Sequence, residues 1–294
     1  MERRRYLEYE ADPKHRKVIV EHFGFDDNSK QLAQNGEKDW KIEGEWEEEL
    51  LDKGDAKMFR GLAARANFLS SDCPDLQFPV KEVSREMANP KVGSWKGMKK
   101  IARYLINRKR VVWQFKWQDQ PRLAHVSGDS DWGGRVGSRK STSGGVWMLG
   151  DHCIKTWSAS QGAYALSSAE AEFYGMIEAV TRAKGLISLA QEVGFQDIQN
   201  IVHLNTDSSA AKSFVCRRGL GKMRHLEIKD LWLQKEVRDG KVIVSKVRGD
   251  LNPADLMTKI LKIKEISQRL EGMNLRVEYV NQLQEDEGGS AERL

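Results

Sequence analysis

Apolar residues recur along the chain with two different periods, and the change of period divides it. Between Asp55 and Asn107 they return every three or four positions: Met58, Leu62, Ala66 and Leu69, then Val83 and Met87, then Trp95, Met98, Ile101, Ala102 and Leu105. That spacing predicts amphipathic helices. Pro74, Pro79 and Asn89-Pro90 punctuate them into a small helical subdomain. Further on, short apolar runs bounded by turn residues take over. Residues 111–117 read as a lead-in strand and 122–128 as the first strand proper. Runs 146–149 and 153–157 read as two antiparallel strands about a turn at Gly150-Asp151.

Ser167 and Ser168 then cap a long helix whose buried side is Ala171, Met176, Ile177, Val180, Ala183, Leu186 and Leu189, ended by Gly194. A strand over 201–205, helices over 208–216 and 224–238, and a strand over 242–247 follow. A last helix opens at Asn252-Pro-Ala-Asp255 and runs to about residue 270. Initial strands in succession favour an antiparallel meander, and strand–helix–strand steps favour parallel pairing. The expected fold is α/β, a mixed five-stranded sheet flanked by helices and preceded by the helical subdomain.

The chain start reads as a strand and a helix over 13–23, and the acidic stretch 25–54 as loop. The expected division is therefore 1–54, a partly disordered N-terminal segment; 55–118, helical; 119–272, the α/β domain; and 273–294, a polar tail.

Composition narrows the class. The 294 residues allow one large or two modest domains. No apolar run is long enough to span a bilayer, and Met1-Glu-Arg-Arg-Arg-Tyr6 lacks an apolar signal core. Cys73, Cys153 and Cys216 are widely spaced and odd in number, which fits reduced thiols and an intracellular location better than a disulfide framework. The net charge of +5 says little, but its distribution says more. Lys96, Lys99, Lys100, Arg103, Arg108, Lys109 and Arg110 crowd one segment among Trp95, Tyr104, Trp113 and Trp117, and Arg217, Arg218, Lys222, Arg224 and His225 crowd another. Basic clusters with aromatics suit a polyanion, and solvated helix faces give the same pattern.

Four acids stand where a mixed sheet gathers ligands, at strand carboxyl ends and helix starts. Asp129 and Asp207 close strands, Glu172 lies in the first turns of the long helix, and Asp255 opens the last one. Crowded carboxylates repel, and the commonest reason to keep them together is a divalent cation. Hard oxygen donors suit magnesium or manganese, and a pair of such ions suits a phosphodiester. Asp131 shares a strand face with Asp129. Glu170 and Glu172 lie about 200° apart on a helix, so only one can enter the site, and Glu170 suits the helix N-terminus. Asp255, after Asn-Pro-Ala, also reads as a cap.

At this point the chain resembles a known family. Asp129-Ser-Asp-Trp-Gly-Gly134, Arg139-Lys-Ser-Thr-Ser-Gly-Gly145, Trp157-Ser158, Ala165-Leu-Ser-Ser-Ala-Glu-Ala-Glu-Phe173, Thr206-Asp-Ser-Ser-Ala210, Arg224-His225 and Asn252-Pro-Ala-Asp-Leu-Met-Thr-Lys259 are similar to the ribonuclease H region of copia-type retrotransposon Pol polyproteins. Cys73-Pro-Asp-Leu-Gln77, Ser84-Arg85, Asn89-Pro90 and Arg103-Tyr104-Leu105 are similar to the segment that joins reverse transcriptase to ribonuclease H there. The resemblance implies a ribonuclease H fold and hydrolysis of the RNA strand of RNA–DNA hybrids with two magnesium or manganese ions. It implies Asp129, Glu172, Asp207 and Asp255 as catalytic metal ligands.

Arg139, Lys140, Ser141, Thr142, Ser208, Arg218, Lys222, Arg224 and His225 are the expected nucleic-acid contacts, His225 being structural or substrate-contacting. No Tyr-x-Asp-Asp motif occurs, so no polymerase activity is expected and a reverse transcriptase palm would come from another chain. The loop before Asp255 lacks the histidine that cellular ribonucleases H often carry, and Arg248 is the residue placed to substitute. The alternative reading is a catalytically silent nucleic-acid-binding remnant of such a polyprotein.

Overall fold

The computed structural model describes residues 6–36, 48–134, 138–221, 225–226 and 231–280. Strand β1 (Tyr6–Glu10) leads into α1 (Pro13–His22), where Asp12 accepts a hydrogen bond from the Lys14 amide. Helix α2 (Lys53–Ser70) starts at Asp52, whose carboxylate accepts from the Asp55 amide at 2.8 Å. Such caps satisfy amides that the helix leaves without partners. Helices α3 (Pro74–Ser84) and α4 (Val92–Asn107) follow. Leu62, Ala66, Leu69, Met98, Ile101, Ala102 and Leu105 are buried, as their spacing requires, while Met58 lies exposed off that face. Asp75 on α3 pairs with Arg108 at 2.8 Å and accepts from the Tyr104 hydroxyl at 2.8 Å. All three side chains are buried, so this network locks α3 to α4 and the strand that follows.

That strand, β2 (Arg108–Lys116), does not lead into the main sheet. It is the centre of a separate antiparallel sheet of order β1-β2-β8, with β8 spanning Leu275–Tyr279. The stretch expected as a polar tail from residue 273 therefore begins with a strand. Its five residues alternate Leu275, Val277 and Tyr279 with Arg276 and Glu278, a half-buried pattern too short to stand out beside a charged terminus.

The main sheet has the expected five strands: β3 (Ala124–Asp131), β4 (Thr142–Leu149), β5 (His152–Ser160), β6 (Val202–Thr206) and β7 (Val242–Lys246), in the order β5-β4-β3-β6-β7. β3, β4 and β5 form the antiparallel meander, and β6 and β7 add parallel to β3. Helix α5 (Ser168–Glu192) covers one face through Phe173, Met176, Val180 and Ala183, against Val126, Trp147 and Leu204. On β4, Trp147 points to this layer and Val146 to the opposite one, where it joins the core of α1–α4. Helical segment, sheet and α5 are thus consecutive layers. Leu189, expected on the buried side of α5, is exposed.

Helices α6 (Ser209–Cys216), α7 (Trp232–Arg238) and α8 (Ile263–Glu271) complete the domain. The helix expected over 224–238 falls partly outside the described residues. The helix expected from Asn252 is two elements: a 3-10 turn, Pro253–Met257, and α8. Thr258 leaves helical geometry at φ −129°, and the break lets Leu256 and Met257 enter the same core as Ile266.

Candidate active site

The parallel pairing of β3 with β6 sets the first two acids side by side. Ser127 lies opposite Asn205, and continuing that register by two residues brings Asp129 beside Asp207. The third acid arrives on the 3-10 turn, which is docked by Asn252. The Asn252 amide nitrogen donates to the Gly128 carbonyl at 3.1 Å, and its side-chain oxygen caps the Ala254 amide. Carboxylate oxygens of Asp129, Asp207 and Asp255 all lie within 4.8 Å of one another. Asp129 and Asp255 are 2% and 5% exposed.

Gly144 makes room for this turn. It faces Asp129 across the β3–β4 ladder, and a Cβ there would stand 2.5 Å from the Met257 Cβ. Gly175 on α5 also lies at this strand end, where a Cβ would stand in ordinary contact, 3.4 Å from the Asp129 carbonyl.

Glu172 completes the cluster from α5. It lies outside the 4.8 Å group, yet burial and then the charges of Asp129 and Asp207 push its carboxyl up to about 8. Burial raises Asp129 to about 7, opposed by Lys259 and the Thr258 hydroxyl, with Asp255 and Asp207 adding to the rise. Glu170 points elsewhere. It accepts from the Tyr174 hydroxyl at 3.0 Å, the Leu166 amide at 3.0 Å and His225 Nε2 at 2.9 Å.

Two cations enter the site that the sequence reading did not single out. Lys259 Nζ lies 2.5 Å from Asp255 and 3.3 Å from Asp129, and Arg269 donates to the other Asp255 oxygen at 2.9 Å. The Thr258 hydroxyl donates to Asp129. Lys259 follows Asp255 by four residues, a spacing at which opposite charges meet on a turn of helix, so a signal was present. Arg269 carried none, because the break before α8 sets its approach. The donor set is hard oxygen, crowded, and already drawing an ammonium into its middle, which is what a divalent-cation site requires. Asp255 has both oxygens engaged by cations, and Asp129 is shared by Lys259 and the Thr258 hydroxyl.

The expected nucleic-acid contacts divide. Ser141 is buried and accepts from the Gly133 amide, and Thr142 is buried with its hydroxyl accepting from Lys81 Nζ at 2.5 Å. Both hydroxyls thus accept hydrogen bonds within the fold. Ser208 caps α6 through the Ala211 amide. Arg139 (φ 52°) and Arg218 are exposed, and Lys140 lies over the Tyr164 ring. His225 is tied to Glu170, while Lys222 and Arg224 lie outside the described residues. Arg248 is paired with Asp250 at 2.6 Å on the surface. No helix among the described residues is long and apolar enough to cross a membrane.

A mixed sheet of this strand order, with acids at the carboxyl ends of its parallel strands, defines a ribonuclease H-like α/β domain. In sequence the chain is similar to copia-type, retrovirus-related Pol polyproteins of transposons, of which it spans about a seventh. It is 28% identical over 205 residues to the Pol polyprotein of transposon TNT 1-94 from Nicotiana tabacum, and 27% over 209 residues to that of transposon RE2 from Arabidopsis thaliana. These matches take in 68% and 70% of this chain but 15% and 14% of those polyproteins. Secreted RxLR effector protein 161 of Plasmopara viticola is 34% identical over 110 residues, 37% of this chain and 77% of that protein. No protein-family model matches.

Similar solved structures include an N-terminal ribonuclease H domain from Mycobacterium tuberculosis (TM-score 0.32, 14% identity, 46% of this chain and 90% of that one). Another is ribonuclease H1 from Halobacterium salinarum (TM-score 0.31, 15% identity, 45% and 90%). Overlaps at such TM-scores add nothing to the architecture, which rests on the strand order and directions above.

Proposed function

We propose that the chain is a divalent-metal-dependent endoribonuclease that hydrolyses the RNA strand of RNA–DNA hybrids. The observation that carries this reading is the convergence of Asp129, Asp207 and Asp255 within 4.8 Å, with the buried Glu172 carboxyl pushed up further by the charges of Asp129 and Asp207, in a chain similar to copia-type Pol polyproteins. Magnesium or manganese bound there supplies Lewis-acid chemistry for opening a phosphodiester. Asp129, Asp207 and Asp255, with Glu172, would hold the ions. Arg269 fixes the Asp255 turn, and Lys259 lies between Asp129 and Asp255. The Thr258 hydroxyl orients the Asp129 carboxylate. Exposed Arg139 and Arg218, with half-buried Lys140, would follow phosphates, which positions a substrate without reading its sequence.

Asp129→Asn removes one ligand charge and keeps the shape. The variant is expected to lose at least a hundredfold in cleavage while binding a labelled hybrid as the parent does. Cleavage at the parental rate by Asp129→Asn would refute the assignment.

A further inference from the structure

We propose that the groove between α2–α3 and the edge strand β5 is a second nucleic-acid contact, a track for a phosphate backbone that continues from the acid site onto the helical segment. The proposal takes the identity of the substrate from the function proposed above; the groove itself is argued from its own residues. It encloses about 490 Å³. Lys81 and Arg85 line it from α3 and its end, Lys155 from β5, and Arg182 from α5, with hydroxyl and amide side chains between them and no carboxylate in the lining. Glu82 pairs with Lys81 and Arg85 at 2.9 and 3.1 Å, and Glu178 pairs with Arg182 at 2.9 Å. Lys155 is exposed and has no ion pair among the described residues. Asp131 also faces Lys81 and Arg85, so four cations stand against three acids, and the excess positive charge sits on Lys155.

Its position gives it a use. Lys81 donates to Thr142, Thr142 lies opposite Asp131 in the ladder, and Arg85 donates to Ser160 on the far side of Thr142. Gly144 lies opposite both Asp129 and Ser158, and Ser158 lines the groove. Ser158 is therefore two strand spacings, roughly 10 Å, from Asp129, with the Pro253–Met257 turn packed on Gly144 between them, and the groove runs around the β5 edge, Lys155 and Arg182 on its α5 side. The edge strand could instead accept an extended peptide, but peptide addition needs a row of apolar pockets for alternate side chains, and Trp157 is the one large apolar side chain in this lining. Phosphate contacts of this kind are indifferent to sequence.

The test is fluorescence anisotropy of a labelled RNA–DNA hybrid with the full chain, in chelator, across a salt series. Lys155→Ala/Arg182→Ala removes two surface cations. The slope of log affinity against log salt is expected to fall by about 2, with about tenfold weaker binding near 0.1 M salt. Lys155→Glu alone, on an exposed side chain, keeps the test decisive if Arg182 matters to packing on Trp157; it is expected to weaken binding by a similar factor. Unchanged slope and affinity in both variants would overturn the groove, and so would a parent chain that binds no hybrid. Cleavage is scored separately. Groove-dependent binding without metal-dependent cutting would leave the track standing and remove the hydrolase reading; cutting with groove-independent binding would do the reverse.

Discussion

Burial holds the Asp129 carboxyl up to about 7 and the Glu172 carboxyl up to about 8 without metal, far above the ordinary values of an unfolded chain. Between roughly pH 4 and pH 8 the folded chain then binds more protons than the unfolded one, so the stability these groups contribute is lost as pH rises through that window. In chelator, the melting temperature of the parent should drop more steeply from about pH 5.5 to about pH 8 than that of Asp129→Asn, and a divalent cation should restore most at the alkaline end. Equal pH profiles for parent and variant would contradict the coupling. Lys259 offsets the same repulsion. Its side chain is 43% exposed, so water screens it, and Lys259→Met should destabilise the metal-free protein by only about 1–2 kcal/mol. The same variant should bind manganese more tightly in calorimetry, because an ammonium no longer competes for Asp129 and Asp255. The acids were legible in the sequence because strand ends and helix starts can be read from periodicity. Lys259 was within reach through its spacing from Asp255. The burial of Ser141 and Thr142 was not legible, because a Gly/Ser turn looks polar whichever way its hydroxyls face.

At the scale of elements, the site depends on how closely a turn can approach a sheet. A methyl group at Gly144 would collide with Met257, Thr258 and the Ala254 carbonyl at 2.5–3.1 Å, all on the turn that bears Asp255. Gly144→Ala should therefore cost about 1–3 kcal/mol in denaturant unfolding and shrink the thermal stabilisation by magnesium. A variant as stable and as metal-responsive as the parent would show that the turn is not pressed against β4. The sequence made α5 and the β3–β4–β5 meander readable, since each is long or strictly bounded. It did not separate the Pro253–Met257 turn from α8, because Asn-Pro-Ala-Asp is as good a helix start as it is a turn, and only the burial of Leu256 and Met257 decides between them. β2 was readable as a strand but not as the centre of a second sheet, because its partners β1 and β8 lie about a hundred residues or more away in the chain at either side.

Across the whole molecule, the helical segment and the α/β domain share one core. Phe59, Leu76, Met98 and Ile101 from the first pack in the same cluster as Val146, Cys153, Leu256 and Ile266 from the second. A chain shortened to begin at residue 119 would expose that face of β4 and β5 and lose both β2 and the pairing of β8. It should be less soluble than the full chain and unfold without a sharp transition; a monomeric, cooperatively melting product would refute the shared core. The change of period falls within one packed body, where it marks a change of layer that periodicity alone does not report. The central claim is that this body presents an acid cluster built to cut RNA paired with DNA. It is tested most directly by incubating the full chain with a hybrid labelled on both strands, with magnesium or manganese and with chelator. Cutting of the RNA strand alone, abolished by chelator, is the predicted result; a hybrid that is bound and left intact in either metal would contradict it.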